Sequence, residues 1–289
     1  GIDINPALCL VSQIKCDALF TEYPEFEAFV KDTTRERIFN YFNRKELGPA
    51  WHLTFSQQGR DATDLIREAW EKRFPERAWK SPIEWRSLLM LVYLHALSDF
   101  TYLEGTNKEK SLEEFFRRDL EEYSQSLEGT WNVFKKLGVV PARPKVIFGD
   151  ALSLPLDSNS VGGIVTSPPY SIALDYVRND RHLLDYLGIN TEALRERMLG
   201  LKGEGQKKVD FYDMDIKRSL AEMKRVLKPS SWAAIVLGDV VIDGERTNFC
   251  ERIIDDASNS GFSEAWSIKR AILGGFARLR YEYLVMLRK

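Results

Sequence analysis

The sequence is poor in cysteine and histidine. Its 289 residues include only three of each. Cys9, Cys16 and Cys250 have neither the spacing of a metal site nor the number needed for a disulfide framework, so we predict free thiols in a reducing compartment. The three histidines form no ligand pattern with these cysteines, and we expect no bound metal.

Long apolar runs and a charge imbalance are also missing. The longest apolar stretches, such as residues 88–93, are far shorter than the ~20 residues that cross a bilayer, and no signal-peptide pattern is visible. We therefore expect no membrane association. With 41 basic and 43 acidic residues, net charge by itself favours neither a nucleic acid nor a lipid partner.

Hydrophobic patterning divides the chain into three zones. Residues 1–22 open with an extended apolar stretch, and Asn5-Pro6 then predicts a helix start, because Asn caps helices and Pro suits the first helical position. Residues 23–143 place apolar residues three and four apart, which predicts a helical insertion. Residues 144–289 alternate short apolar strands with helices, which predicts an α/β sheet.

The sheet is predicted to be mostly parallel, with an antiparallel end. The strands near 266–272 and 281–287 are so close in sequence that we expect a hairpin. In such sheets, ligands bind beyond the carboxyl ends of the strands, so residues that follow strands are candidates for function.

Two acidic residues follow short strands. Asp3 can accept both hydroxyls of a ribose, whereas Asp150 can accept from an exocyclic amine while the backbone N–H of Ala151 reaches a ring nitrogen. Together they describe an adenosine pocket. The structural alternative is that each aspartate only forms a turn or caps a helix.

The stretch "TSPPY" at residues 166–170, where the strand predicted at 161–166 ends, is more specific. Because proline is about 5% of average composition, an Asp, Asn or Ser followed by Pro-Pro and an aromatic arises by chance in about one in a hundred chains of this length. Neither Pro168 nor Pro169 can donate a backbone hydrogen bond, and each fixes φ near −65°. The motif is either a rigid corner beside an aromatic ring, in which the prolines keep their carbonyls fixed and unpaired, or simply a stiff turn.

These segments resemble the amino-methyltransferases that use S-adenosylmethionine to methylate exocyclic nitrogens of bases in nucleic acids. "GIDINP" is similar to the second motif of that family, "FGDALSLPL" to the third, and "TSPPY" to the fourth, catalytic motif. The resemblance covers residues 1–22 and 144–289. It implies a Rossmann-like class I methyltransferase sheet, mixed through its antiparallel C-terminal hairpin, with a large helical insertion.

The resemblance also implies roles for individual residues. The expected S-adenosylmethionine ligands are Asp3, Ile4, Asp150 and Ala151. The expected catalytic residues are Ser167, Pro168, Pro169 and Tyr170. The hydroxyl of Ser167 and the carbonyl of Pro168 would accept from the target amine, and Tyr170 would stack on a base flipped out of the duplex.

The serine form of the fourth motif is typical of enzymes that methylate cytosine N4. We therefore expect a cytosine-N4 DNA methyltransferase of a restriction-modification system, acting on double-stranded DNA in a prokaryotic cytoplasm. Three alternatives stay open. These are methylation of adenine N6, methylation of RNA, and a catalytically silent binding subunit.

One element of the family is absent from the sequence. The first motif, a strand with a glycine-rich loop that cradles the methionine end of the cofactor, occurs nowhere in the 289 residues. We expect this motif to come from residues that precede Gly1 or from a second chain. If neither supplies it, the binding-subunit alternative is favoured.

Contacts with nucleic acid are predicted from charge and position. The insertion at 23–143 is interpreted as a bundle with an aromatic core, and a DNA-reading or partner-binding role is the alternative. "LKGEGQKK" at 201–208 is interpreted as a flexible basic loop suited to phosphate, or as a merely solvated loop. The candidate nucleic-acid contacts are Tyr176, Arg178, Arg181, Lys207 and Lys208.

Overall fold

The fold is mixed α/β in a computed structural model. The residues that the structure describes are 1–33, 35–43, 59–73, 82–103, 110–169, 175–238, 240–242, 245–247, 249–271 and 281–289. They form two compact units. The first comprises Gly1–Phe148 and Val177–Thr191, and the second comprises Gly149–Tyr176 and Glu192–Lys289.

The first unit contains a short parallel strand pair. β1 (Ile2–Asp3) pairs with β2 (Ile147–Phe148), and Asp3 lies opposite Phe148. Helix α1 (Pro6–Ala18) follows β1, and the predicted cap is confirmed, because the side-chain oxygen of Asn5 accepts from the N–H of Ala7 at 3.0 Å. A segment of the predicted insertion covers the other edge of β2, where the Ala62 N–H donates to the Val146 carbonyl at 2.8 Å.

The remaining helices of the first unit surround an aromatic core. They are α2 (Tyr23–Asp32), α3 (Arg35–Phe42), α4 (Ala62–Arg73), α5 (Ile83–Leu103), α6 (Leu112–Leu137) and α8 (Arg181–Tyr186). Helix α5 is the central one, since the consecutive residues 88–94 are all buried. Tyr93 of α5 contacts the rings of Phe42 and Phe116 at centroid distances of 5.9 and 6.4 Å.

The second unit contains a four-stranded sheet with the order β3-β4-β8-β7. Its strands are β3 (Val161–Thr166), β4 (Leu227–Gly238), β7 (Glu264–Ala271) and β8 (Tyr281–Arg288). β3 and β4 are parallel, whereas β8 is antiparallel to both of its neighbours. The predicted antiparallel pairing of the last two strands is therefore confirmed. A separate antiparallel pair joins β5 (Val240–Ile242) to β6 (Glu245–Thr247).

Helices cover one face of this sheet. The unit's helices are α10 (Gly205–Val226), α11 (Phe249–Asn259) and α9 (Thr191–Arg197) from its second residue onward, and the first residue of α7 (Tyr176–Asn179) also belongs to it. Apolar side chains of α10 and α11 pack on Ile235 and Leu237 of β4 and on Val285 and Leu287 of β8. This shared core fixes α10 against the sheet.

The opposite face of the sheet is apolar and exposed. The register places Val165 beside Ala234, and Ala234 and Trp266 beside Met286, so these side chains share one face. Val165 is 85% exposed and Trp266 43% exposed. Among the described strands, only β4 pairs with β3, which leaves the other edge of β3 open.

Several predictions about the whole fold are not tested. No described strand joins the β1–β2 pair to the four-stranded sheet, so the continuous Rossmann-like sheet stays a prediction. The zone boundaries after residues 22 and 143 stay predictions as well. None of the helices in the described ranges combines the length and the apolar character that crossing a bilayer requires.

Candidate functional site

The predicted catalytic corner follows β3 directly. Thr166 is the last residue of β3 and pairs with Ile235 of β4. Beyond it, Ser167 is exposed, and Pro168 is half-buried. Within the described part of the chain, no donor bonds to the Ser167 hydroxyl or to the Pro168 carbonyl. Both oxygens are therefore available as acceptors.

The carbonyl of Pro169 behaves differently. It accepts a hydrogen bond from the hydroxyl of Tyr212 at 2.9 Å. The expectation that both prolines leave their carbonyls unpaired is therefore wrong for Pro169, because α10 carries a tyrosine against the end of the motif. Tyr212 is 2% exposed, and its ring makes an edge contact with Phe249 at 5.2 Å.

Tyr212 is a site residue that sequence reasoning missed. Its signal is a tyrosine at an apolar helix position, between the buried Val209 and Ile216. A buried tyrosine hydroxyl requires a hydrogen-bond partner, which periodicity does not identify. Tyr170, the predicted stacking residue, lies outside the described residues. Its role stays a prediction.

Asp150 forms a turn that still leaves acceptor and donor groups for a ligand. One carboxylate oxygen, Oδ1, accepts from the N–H of Leu152 at 2.8 Å, and the Asp150 carbonyl accepts from the N–H of Ser153 at 3.0 Å. No described residue bonds to the other carboxylate oxygen, Oδ2, or to the N–H of the exposed Ala151. The turn-forming and ligand-binding roles of Asp150 are thus compatible.

Helix α10 holds the loop that follows Asp150. Nε of Arg218 donates to the Leu152 carbonyl at 2.9 Å, and the N–H of Leu154 donates to Oε2 of Glu222 at 2.8 Å. Arg225 donates to the Leu154 carbonyl at 2.9 Å and pairs with Glu222 at 2.8 Å. That ion pair lowers the pKa of Glu222. Arg218, Glu222 and Arg225 are spaced i, i+4 and i+7, a one-face pattern that sequence reasoning had not used.

Asp3 and its neighbours belong to the first unit. Burial raises the pKa of Asp3, and hydrogen bonds from the N–H groups of Asn5 and Ile4 oppose that rise. The bond from Asn5 is 2.7 Å long. The Cys9 thiol donates to the Asp3 carbonyl at 3.2 Å, and burial raises the pKa of Cys9 to about 12, so the thiol stays protonated and unreactive.

The residues around Asp3 fit a ligand that carries hydroxyl groups. Nδ2 of Asn5 is buried and has no partner among the described residues. A buried donor without a partner is costly, so a polar ligand would satisfy it. Asp3 supplies acceptors and Asn5 a donor, which is the set that ribose hydroxyls need. In the described ranges, no group of three or more His, Cys, Asp or Glu residues is arranged to hold a metal ion.

The predicted site residues are divided between the two units. Asp3 and Ile4 lie in the first unit, whereas Asp150, Ala151 and the corner at 167–169 lie in the second. The second unit thus brings together the expected catalytic corner and the expected adenine ligands, both held by α10.

Two of the predicted nucleic-acid contacts lie in a segment anchored to the helical unit. Arg178 and Arg181 are exposed. Arg181 pairs with Asp185 at 3.4 Å, which partly neutralises its charge. Among the described residues, hydrogen bonds that involve Tyr102 and Asn179, His182 and Ser98, and Tyr186 and Phe42 hold the segment. Nε2 of His182 lies 3.1 Å from Oγ of Ser98, and the Tyr186 hydroxyl donates to the Phe42 carbonyl at 3.0 Å.

The other three predicted contacts lie in the second unit. Tyr176 is half-buried, Lys207 is exposed and Lys208 is half-buried. The interpretation of 201–208 as a loop is wrong for its last residues, because α10 begins at Gly205. The buried Val209 and Tyr212 continue the apolar face of this helix towards its start, and this packing keeps the two lysines helical.

Comparison with known proteins gives few matches. No protein-family model and no curated protein matches the chain. Three similar crystal structures are of a proposed DNA modification methylase from Thermus thermophilus. Its selenomethionine form is 25% identical, with a TM-score of 0.29, and the match covers 49% of this chain and 50% of that one.

The other two structures are of the same Thermus protein. One is 24% identical, with a TM-score of 0.30 and coverage of 49% and 52% of the two chains. The other, complexed with S-adenosyl-L-methionine, is 24% identical, with a TM-score of 0.28 and coverage of 49% and 51%. The chain spans about half the length of that protein. TM-scores this low establish no common fold.

Proposed function

We propose that this protein transfers a methyl group from S-adenosylmethionine to an exocyclic amine of a base in DNA, and that the target is N4 of cytosine. The observation that carries the proposal is the corner after β3. It presents the exposed Ser167 and the carbonyl of Pro168 without a described donor on either oxygen. Both follow a strand that is parallel to its neighbour, where ligands of α/β sheets bind.

The corner suits activation of an amine. The amine of cytosine is a poor nucleophile because its lone pair is delocalised into the ring. When Ser167 Oγ and the Pro168 carbonyl accept its two N–H groups, they favour a pyramidal nitrogen with a free lone pair. S-adenosylmethionine, when bound, supplies a methyl group on a positively charged sulfur. The target nitrogen would then form a bond to that methyl carbon as the C–S bond breaks, with the bonding electron pair left on sulfur and one proton released from the nitrogen to water.

The proposed cofactor ligands are the acidic residues and their neighbours. Asp3 would accept from the ribose, with Ile4 beside it, and Asp150 with the N–H of Ala151 would bind the adenine. The hydrogen bond that orients each carboxylate supports these roles, because a carboxylate that is already held in place loses little freedom on binding.

The methionine end needs a further structural element. We propose that a strand from outside the described residues, from this chain or a second one, pairs with the open edge of β3 and supplies the glycine-rich motif. This is supported by the edge of β3 that faces away from β4, which pairs with no described strand.

Duplex DNA is the proposed partner. A base must leave the stack to reach Ser167, and Tyr170 would then stack on it. The basic residues Arg178, Lys207 and Lys208 would contact phosphates.

Nucleoside mass spectrometry tests the proposal. The full-length natural protein is incubated with labelled S-adenosylmethionine and either duplex DNA or RNA, and the digested nucleosides are analysed. We expect labelled N4-methylcytosine from DNA. Labelled N6-methyladenine, or label confined to RNA, would overturn the target assignment. No label in any nucleoside would favour a binding subunit instead.

Ser167→Ala tests the role of the corner. Loss of one preorganised contact to the reacting group is expected to lower the single-turnover rate by roughly a hundredfold, while cofactor affinity stays nearly unchanged. Ser160→Ala is the matched control, because Ser160 is an exposed serine of the same unit, bonded only to the Asp157 carbonyl among the described residues. If Ser167→Ala transfers the methyl group at the wild-type rate, "TSPPY" is only a stiff turn and the proposed role of the corner is wrong.

A further inference from the structure

We propose that Tyr212 is a positioning residue for the methyl transfer, an inference that rests on the function proposed above. Its hydroxyl donates to the Pro169 carbonyl at 2.9 Å, 43 residues away in sequence. Its described hydrogen bond is to Pro169 and to neither of the proposed reacting acceptors, Ser167 Oγ and the Pro168 carbonyl. It acts on them through the backbone of the corner.

The corner is held at both ends. Upstream, Thr166 is fixed by its pairing with Ile235 in the parallel ladder. Downstream, the hydroxyl of Tyr212 fixes the Pro169 carbonyl. Ser167 and Pro168 lie between these two anchors. Among the described residues, no other hydrogen bond holds the chain from Ser167 to Pro169.

Two consecutive prolines make this downstream anchor effective. Each pyrrolidine ring fixes φ, so the freedom left between Ser167 and the end of the motif lies mainly in the ψ angles. The ψ angle of Pro169 sets the direction of the Pro169 carbonyl. The ψ angle of Pro168 sets the direction of the Pro168 carbonyl and the position of the residue that follows. A bond that holds the Pro169 carbonyl therefore limits the direction of the Pro168 carbonyl, a proposed acceptor of the target amine.

The donor itself is rigid. Tyr212 is 2% exposed and packs in the core that joins α10 and α11 to the sheet. Its ring meets Phe249 edge to face at an interplanar angle of 76°. Because the ring is locked by packing, its hydroxyl has one accessible position, and the bond orients the corner without costing much side-chain entropy.

The same helix holds the loop after Asp150. Arg218 lies less than two turns beyond Tyr212 and donates to the Leu152 carbonyl at 2.9 Å. Helix α10 thus positions both the corner and the loop that follows Asp150, a proposed adenine ligand. Small displacements of reacting groups are costly in rate, so loss of the Tyr212 bond is expected to slow the reaction more than it destabilises the fold.

The test is Tyr212→Phe in the full-length natural protein, which removes the hydroxyl and keeps the ring. Tyr93→Phe is the matched control. Tyr93 is 3% exposed, and its hydroxyl donates to Asn43 Oδ1 at 3.2 Å within the first unit. We expect Tyr212→Phe to lower kcat between about tenfold and a hundredfold at saturating DNA and cofactor. Its cofactor Kd, its KM for DNA and its Tm should match those of Tyr93→Phe.

A rescue variant separates positioning from packing. Replacing Tyr212 with 4-aminophenylalanine keeps a ring of the same shape and restores an N–H donor at the position of the hydroxyl. We expect this variant to recover most of the lost kcat. If Tyr212→Phe has a lowered Tm and regains the wild-type kcat at low temperature, the variant is merely unstable and the inference is overturned. Failure of 4-aminophenylalanine to restore kcat would overturn it as well.

The outcomes for Ser167→Ala separate this inference from the proposed function. If Ser167→Ala is impaired while Tyr212→Phe has the wild-type kcat, the positioning role of Tyr212 is wrong and the function stands. If the wild-type protein methylates no base, both fail.

Discussion

Replacing Asp150 with asparagine separates its role in the turn from its proposed role in binding adenine. In the structure, Oδ1 of Asp150 accepts from the Leu152 N–H at 2.8 Å, and Oδ2 has no described donor. Asparagine keeps one acceptor oxygen for Leu152 and places an amide NH2 group where Oδ2 was. The exocyclic amine of adenine carries only donors, so the variant opposes donor with donor at the proposed contact.

The size of the effect follows from these groups. An unpaired polar group at a binding contact costs about 1–3 kcal/mol, which raises the Kd for S-adenosylmethionine by about 5- to 150-fold. Because the turn keeps its bond, the free energy of unfolding should change by less than about 0.5 kcal/mol. Asp150→Ala loses the turn bond as well, and should also destabilise the fold by about 0.5–1.5 kcal/mol.

Calorimetric titration with S-adenosylmethionine and urea unfolding check both numbers. Asp255→Asn is the control for net charge, since Asp255 is an exposed residue of α11 in the same unit. If Asp150→Asn binds the cofactor as tightly as Asp255→Asn does, Asp150 only forms the turn and the adenine assignment is wrong.

Two further predictions concern Glu222, which holds the loop after Asp150, and His182 of the first unit. Glu222→Ala removes the acceptor of the Leu154 N–H and the partner of Arg225. We therefore expect calorimetry to show a severalfold weaker affinity for the cofactor, and a smaller loss for Glu222→Gln. Unchanged affinity in both variants would contradict this prediction. Burial lowers the pKa of His182, while Asp180 opposes the shift. The unfolded chain therefore takes up the proton first, and the free energy of unfolding should fall as the pH drops below about 6.5. His182→Gln should weaken this dependence in urea unfolding, and identical pH slopes for the two proteins would refute it.

Local signals were sufficient for several elements. The Asn5 cap, the antiparallel pairing of β7 with β8 and the end of β3 at the double proline could be predicted because caps, turns and prolines act within a few residues. The "TSPPY" corner is also local, so its rigid backbone could be inferred before any tertiary contact was known.

Other features depend on residues far apart in sequence. Apolar spacing predicts that Tyr212 is buried, but only packing decided that its hydroxyl meets Pro169, 43 residues away. The same holds for Arg218 and the Leu152 carbonyl, which are 66 residues apart. Periodicity specifies which face of a helix is buried and carries no information about which carbonyl that face will meet.

Tertiary structure also decided which side chains of β3 are exposed and where α10 begins. Val165 belongs to an apolar strand and is nevertheless 85% exposed, because a strand is buried only where neighbours cover its edge and both of its faces. The glycines and lysines of 201–208 predict a loop, yet the packing of Val209 and Tyr212 draws Lys207 and Lys208 into the helix. In both cases the sequence determined the local preference, and the contacts made with the rest of the unit determined the outcome.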